Sequence, residues 1–274
     1  MTIHNDFHHA QYAKVLDFDT SAVSSDAQVA ARILQLRARI ALGQYDKVLS
    51  ETKGSDSDPS IAAVRALATY ASGKHDAGLS QAEKLAASSS EAPYVQVLAG
   101  TVLAAAGKPE DALALLQKHQ GSLEAVAVIV QIHLSQNRTD LALKEVQSAR
   151  KWAQDSLLIN IAESWVGLRI GGDRYQQAFY EFEEMPVPQA IAEIHLGRLP
   201  EAEAALSKQL AEEESDVDAI ANSVVLNTLS GKDAMELVGR LEQKRPEHPL
   251  LVDIKEKSDL FDQAASKYTA KVSS

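Results

Sequence analysis

Gly107-Lys108-Pro109-Glu110-Asp111-Ala112 lies between the apolar runs at residues 94–106 and 113–117, and these six residues turn the chain back on itself. Glycine can adopt the left-handed conformation that ends a helix. Proline two residues later suits the first turn of a new helix, because its missing N–H would have had no intrahelical partner there. Glu110 and Asp111 follow in that first turn, where the helix dipole favours negative charge. Ala112 is small enough to let the second helix press against the first. The segment reads as a helical hairpin.

Comparable turns fall at Gly43, Gly73, Asn137, Gly172, Gly197 and Gly231, giving successive intervals of 30, 34, 30, 35, 25 and 34 residues with Gly107 included. One hairpin in about 34 residues is the period of the tetratricopeptide repeat. The pattern is degenerate. Gly107 with Ala112, and Gly197 with Ala202, keep the offset of the consensus turn glycine and second-helix alanine. Gly100 and Ala190 supply the small residue seven positions before the turn. The usual tryptophan and closing proline are mostly missing. The expected fold is all-α: a tetratricopeptide-like (TPR) right-handed α-solenoid of about eight helical hairpins with a C-terminal capping helix. Residues 1–274 are expected to form a single solenoid, with 249–274 as the capping segment. Lys255, Glu256, Lys257 and Lys267 would give that cap a polar outer face.

Composition narrows the function. Aromatic residues make up only 5%, so the core must come from alanine, leucine, valine and isoleucine at close helix–helix distance. The chain has 27 basic and 38 acidic residues, a net charge of −11. Such a surface repels nucleic acid and anionic headgroups, so no nucleic-acid partner is expected and membrane contact only indirectly, through a partner. There are no cysteines, which excludes disulfides, thiolate nucleophiles and cysteine zinc sites. The first residues have neither a basic stretch nor an apolar run, and no apolar run approaches the length of a membrane span. A cytoplasmic location is expected.

Several local features invite a sharper reading. The opening segment reads as a short hairpin bent near His9-Ala10. Its His4, His8 and His9 suggest a metal site, since positions four apart share a helix face. With no carboxylate or cysteine pattern nearby, a solvated terminal helix is the favoured reading and no metal is expected. Gly54-Ser55-Asp56-Ser57-Asp58-Pro59 resembles the start of a calcium loop but lacks its sixth-position glycine and distal glutamate. A linker with Asp58 capping a helix that starts at Pro59 explains it better. Ser122 opens an almost wholly apolar helix in which His133 is expected to be buried, neutral and hydrogen-bonded. Trp165 is expected to be a buried packing wedge. Glu212-Glu213-Glu214-Ser215-Asp216 reads as a solvated loop. Between Gly172 and Gly197 there are too few residues for a full second helix, a loop and a full first helix, and Pro186-Val187-Pro188 occupies the junction. A loop and part of a helix are expected to be absent there, through either a deletion or a break in the chain.

No catalytic motif is present. Gly171-Gly172-Asp173 lacks the glycines and lysine of a phosphate loop, and neither a His-Glu-x-x-His motif nor a nucleophile elbow occurs. No cofactor and no catalytic residue are expected, which makes a binding or scaffolding role the default. An enzyme whose groups converge from distant positions is one alternative. A co-chaperone that clamps a partner's C-terminal carboxylates is another. The two relevant phases offer Ile33, Ala63, Val97, Ala127 and Ala162, then Arg37, Leu67, Thr101, Gln131 and Val166. Those residues do not make a charge-assisted clamp.

The middle third of the chain is more specific. Ser122-Leu123-Glu124, Val130-Gln131-Ile132-His133-Leu134, Asp140-Leu141-Ala142-Leu143-Lys144-Glu145-Val146 and Trp165-Val166-Gly167-Leu168 resemble the epsilon subunit of coatomer, the coat of Golgi transport vesicles. So does the stretch from Gly171-Gly172-Asp173-Arg174-Tyr175 through Glu183-Glu184-Met185. Ala63-Val64-Arg65, Phe261-Asp262 and Tyr268 extend the resemblance over nearly the whole chain. It implies a non-catalytic subunit that binds the C-terminal region of the coatomer alpha subunit. It also implies a peripheral position on Golgi membranes and COPI-coated vesicles, and a part in Golgi-to-ER retrograde and intra-Golgi transport.

In a tetratricopeptide superhelix the first helix of each hairpin lines the concave face. Counting back from each turn, the inward-facing, partner-binding positions are expected to include Arg37, Tyr70, Tyr94, Val97, Thr101, Gln131, Leu134, Val166 and Arg169. Aromatic and arginine side chains of this kind supply most interface hot spots. Val97 and Val166 also suit packing between adjacent repeats.

Overall fold

A computed structural model of the chain describes residues 2–55 and 57–268. Asp56 and residues 269–274, the end of the expected capping segment, lie outside the described residues. The described residues form seventeen α-helices and no strand. Helices α1 (Thr2–His8) and α2 (Tyr12–Asp17) make the short opening hairpin, and a 3-10 turn at Thr20–Ala22 follows it. The bend falls where expected, at Ala10, whose φ is 59°. Next come α3 (Ser25–Ala41) with α4 (Tyr45–Glu51), α5 (Pro59–Ala71) with α6 (His75–Ser88), and α7 (Pro93–Ala105) with α8 (Pro109–Leu116). The series continues with α9 (Leu123–Ser135) and α10 (Thr139–Arg150), then α11 (Leu157–Ile170) and α12 (Arg174–Glu181). It ends with α13 (Pro186–His195) and α14 (Leu199–Glu212), α15 (Val217–Leu229) and α16 (Met235–Lys244), and α17 (Pro249–Ala265). Eight successive helix pairs and a final helix match the expected architecture.

The turns explain the periodicity. Gly43, Gly73, Gly107, Gly197 and Gly231 have φ between 67° and 86°, and Asn137, at 58°, is the non-glycine residue that best tolerates this region. At Gly107 the amide of Lys108 reaches back to the Leu103 carbonyl at 2.9 Å, and at Asn137 the amide of Arg138 reaches the His133 carbonyl at 2.8 Å. This backward bond satisfies a carbonyl that the helix end would otherwise leave open. The turn after α11 is built differently. Gly171 and Gly172 both have positive φ, and the Gly171 amide bonds the Gly167 carbonyl. Side-chain caps behave as the sequence suggests. Asp58 accepts from the Ser60 amide at 2.9 Å ahead of Pro59, and Ser122 accepts from the Ala125 amide at 3.3 Å. The acidic run is exposed at residues 212–215, and Asp216 caps α15 through the Ala219 amide at 2.9 Å.

The chain divides into two compact units, Met1–Arg174 and Tyr175–Ser274. In the first, α3, α5, α7, α9 and α11 pack side by side in sequence order, and each second helix packs on its own hairpin and on the first helix that follows. The main core runs through Ile33, Leu36, Val64, Leu98, Leu116 and Ile129. Small residues set the hairpin spacing. A Cβ on Gly100 would meet Leu116 Cγ at 2.9 Å, and one on Gly78 would lie 2.6 Å from the backbone nitrogen of Tyr70. Two expectations need correction here. Trp165 is half-buried rather than engulfed, because Ser164 and Val166–Leu168 take the core-facing side of α11. His133 is buried, yet its Nδ1 has no hydrogen-bond partner.

In the second unit, Ala190, Ala202, Leu206, Ala219 and Leu226 form one small core, and Ile220, Ala221 and Leu241 another. The suspect junction contains no break. The Met185 amide bonds the Phe182 carbonyl at 2.8 Å, and the Gln189 amide bonds the Met185 carbonyl at 2.9 Å. Helices of only 8 and 10 residues, α12 and α13, absorb the short interval, so the chain is shortened there rather than interrupted. Helix α17 touches the small core through Leu250 and Leu251 and buries no residue fully.

Candidate partner-binding surface

All nine candidate residues lie in the first unit, on its first helices. The feature that organises them is a contact between α3 and α9. Arg37 on α3 places Nη1 2.9 Å from both carboxylate oxygens of Glu124, 87 residues later at the start of α9. Helices α5 and α7 stand between these two in the layer. Packed helices are about 8–10 Å apart. Three such steps laid flat would exceed the combined reach of an arginine and a glutamate, so the layer must curve strongly toward the side that carries this pair. The first helices of this unit therefore form a concave face.

The pair is largely withdrawn from water, with side-chain exposures of 12% for Arg37 and 13% for Glu124. Burial pushes the Glu124 carboxyl up, but the Arg37 charge, His8, the Arg37 hydrogen bond and His4 outweigh it, and the carboxyl sits below the usual carboxylate range. Tyr94 on α7 joins the cluster. Burial raises its phenol, and the Glu124 charge raises it further against the opposing effect of Arg37. Helix α1 completes it from above. Phe7 lies under the Arg37 guanidinium, 4.6 Å from ring centroid to Cζ, and His8 Nε2 is 3.6 Å from Glu124 Oε1. Burial holds the His8 imidazole down at about 4, against the attraction of Glu124. The expected solvated terminal helix is thus corrected: α1 packs on α3 and turns His8 and Phe7 onto the inner face.

The other candidates separate. Val97 and Val166 are 4% and 0% exposed and belong to the cores between repeats, offering no surface. Tyr70 faces α6, with its Cβ at Gly78 and its ring edge-on to His75 at 4.7 Å, so it sits in a hairpin seam. Thr101 spends its hydroxyl on the Val97 carbonyl at 2.7 Å, and Leu134 packs half-buried against the α9–α11 core. Gln131 is exposed, and Arg169, also exposed, donates to the Asn137 side chain at the preceding turn. The clamp alternative finds no support in the geometry, since Ile33, Ala63, Val97 and Ala162 are all buried. Sequence reasoning did not single out Glu124 and Phe7, which the structure brings against Arg37. The available signal was a lone charge in the first turn of an otherwise apolar helix.

Comparison with known proteins agrees with this architecture. The family model described as "Coatomer epsilon subunit" matches residues 1–269. "Coatomer subunit epsilon-1" of Oryza sativa subsp. japonica is 28% identical over 268 residues, covering 93% of this chain and 92% of that protein. "Coatomer subunit epsilon-1" of Arabidopsis thaliana is 28% identical over 97% of this chain and 96% of its own length. "Probable coatomer subunit epsilon" of Schizosaccharomyces pombe is 29% identical over 83% and 80%. Among solved structures, one described as the APC/C hetero-tetramer Cut9-Hcn1 superposes with a TM-score of 0.64 at 14% identity, over 92% of this chain and 54% of that one. That last likeness speaks to the fold alone.

Proposed function

The chain belongs to the coatomer epsilon-subunit family, and from that premise we propose that it is a non-catalytic coat subunit whose concave face binds the C-terminal region of the coatomer alpha subunit. As a component of the coatomer coat it acts in vesicle transport. In this reading the steps it serves are Golgi-to-ER retrograde and intra-Golgi transport, and it reaches Golgi membranes and vesicles from the cytoplasm through the rest of the coat. No helix among the described residues is long and apolar enough to cross a membrane, which fits recruitment by a partner.

The observation that carries the proposal is the Arg37–Glu124 bridge, because it requires a curved first-helix layer able to surround a partner segment. Tyr94 beside that bridge, with Gln131 and Arg169 exposed further along, offers the mixture of aromatic, amide and guanidinium groups that recognises a polypeptide. Calorimetry with the purified C-terminal region of the alpha subunit tests it. Tyr94→Ala should weaken binding by about 2 kcal/mol, roughly 30-fold, with Arg169→Ala adding a smaller loss. Unchanged affinity in the double variant would move the interface off the concave face.

A further inference from the structure

The carboxylate that the histidines at the start of the chain lack in sequence is supplied in space by Glu124. His4 and His8 share one face of α1, their rings 4.6 Å apart between centroids. Their Nε2 atoms lie 4.0 Å and 3.6 Å from the same oxygen, Glu124 Oε1. One ligand atom from each of the three residues falls within 4.8 Å of the others. The two nitrogen–oxygen separations are too long for hydrogen bonds. In a tetrahedral zinc site with bonds of about 2.0–2.1 Å, neighbouring ligand atoms are about 3.4 Å apart. The His8–Glu124 distance is close to that spacing, and the exposed His4 side chain would draw in further to complete the set.

A second observation points the same way. His8 Nε2 is buried with no hydrogen-bond partner, on a side chain only 11% exposed, and it faces a carboxylate oxygen. A buried polar atom left in this condition calls for a ligand or a cost. Arg37 holds Glu124 by both oxygens and fixes its orientation, as the groups around metal ligands commonly do. Its positive charge also weakens the attraction of a cation, so the site suits an ion that gains most from imidazole nitrogen and least from charge alone.

We propose that His4, His8 and Glu124 form a binding site for a divalent, imidazole-preferring transition-metal ion, zinc being the ion of choice. The ion takes two nitrogens spaced four residues apart on α1 and one oxygen from α9, and leaves a fourth position to water. Bound there, it ties α1, in the first hairpin, to α9, in the fifth, across the concave face.

Zinc chloride titrated into the full-length protein by calorimetry should show one saturable site per chain, and cobalt in its place should give the visible absorption of a tetrahedral ion. Hydrogen exchange of the α1 amides should slow when zinc is added. His4→Gln, at a half-exposed position that folding tolerates, should weaken zinc binding at least about tenfold and abolish the protection of α1, since loss of a direct ligand exceeds the 10–100-fold cost of losing a supporting contact. Glu124→Gln should do the same, with circular dichroism confirming that the variant is folded. No saturable binding by the natural chain overturns the proposal. So does zinc binding that survives unchanged in His4→Gln.

Discussion

Helices α7 and α17 both carry large apolar side chains, and these fare differently. The 13-residue α7 buries eight residues, among them Leu98, Gly100, Val102 and Leu103. The 17-residue α17 buries none, and leaves Val252, Ile254, Leu260 and Phe261 exposed. The difference is one of charge, with six charged residues in α17 and none in α7, and of neighbours. Helix α7 has α5 and α6 on one side and α8 and α9 on the other. Helix α17 follows the α15–α16 hairpin, and it reaches that hairpin's small apolar core through Leu250 and Leu251, near its start. In a repeat protein a helix owes its stability to the repeats beside it more than to its own composition.

Three substitutions sharpen this contrast. Leu116→Ala empties the space between α7 and α8, where Leu116 is fully buried, and should cost about 3–5 kcal/mol in urea denaturation followed by circular dichroism. A cost under 1 kcal/mol would mean that the core closes around the loss. Gly78→Ala adds one methyl group but drives it against the Tyr70 backbone, where no flexible side chain can yield, and should cost about 2–3 kcal/mol by forcing α5 and α6 apart. A neutral result would show that this hairpin has slack. The paired change Leu260→Ser with Phe261→Ser removes far more apolar surface than either, yet should alter stability by less than about 1 kcal/mol, because Leu260 is half exposed and Phe261 mostly exposed. Hydrogen exchange should agree, with α17 amides exchanging well before those of α7. Loss of several kcal/mol in that variant would mean that α17 is covered in solution.

Turn by turn, the fold was readable because its signals are local. Gly107 with Pro109 specifies a helix end and a helix start within three residues, and no distant contact is needed to interpret them. Asn137 could be recognised in place of glycine for the same reason. The candidate surface was only partly readable. Counting residues from each turn placed all nine candidates on first helices. It could not separate Val97 and Val166, which go to the core, from their exposed neighbours, because a position on a first helix faces either the partner side or the next repeat depending on small rotations between hairpins. Trp165 shows the same limit: its register suggested a wedge, and the packing of α11 left it half-buried.

What the sequence determined alone is the all-helical repeat, its turns and caps, its acidic and cysteine-free surface, and its likeness to one coat-subunit family. These depend on residue type and on spacings of a few tens of residues. What only the tertiary structure decided is the curvature of the first-helix layer and the meeting of His4, His8, Arg37 and Glu124. That curvature accumulates over three helix-to-helix steps, each set by how side chains such as Leu98, Gly100 and Leu116 interlock. No local pattern in the chain records the sum of those steps, so residues 87 positions apart, Arg37 and Glu124, become neighbours only once the repeats have packed.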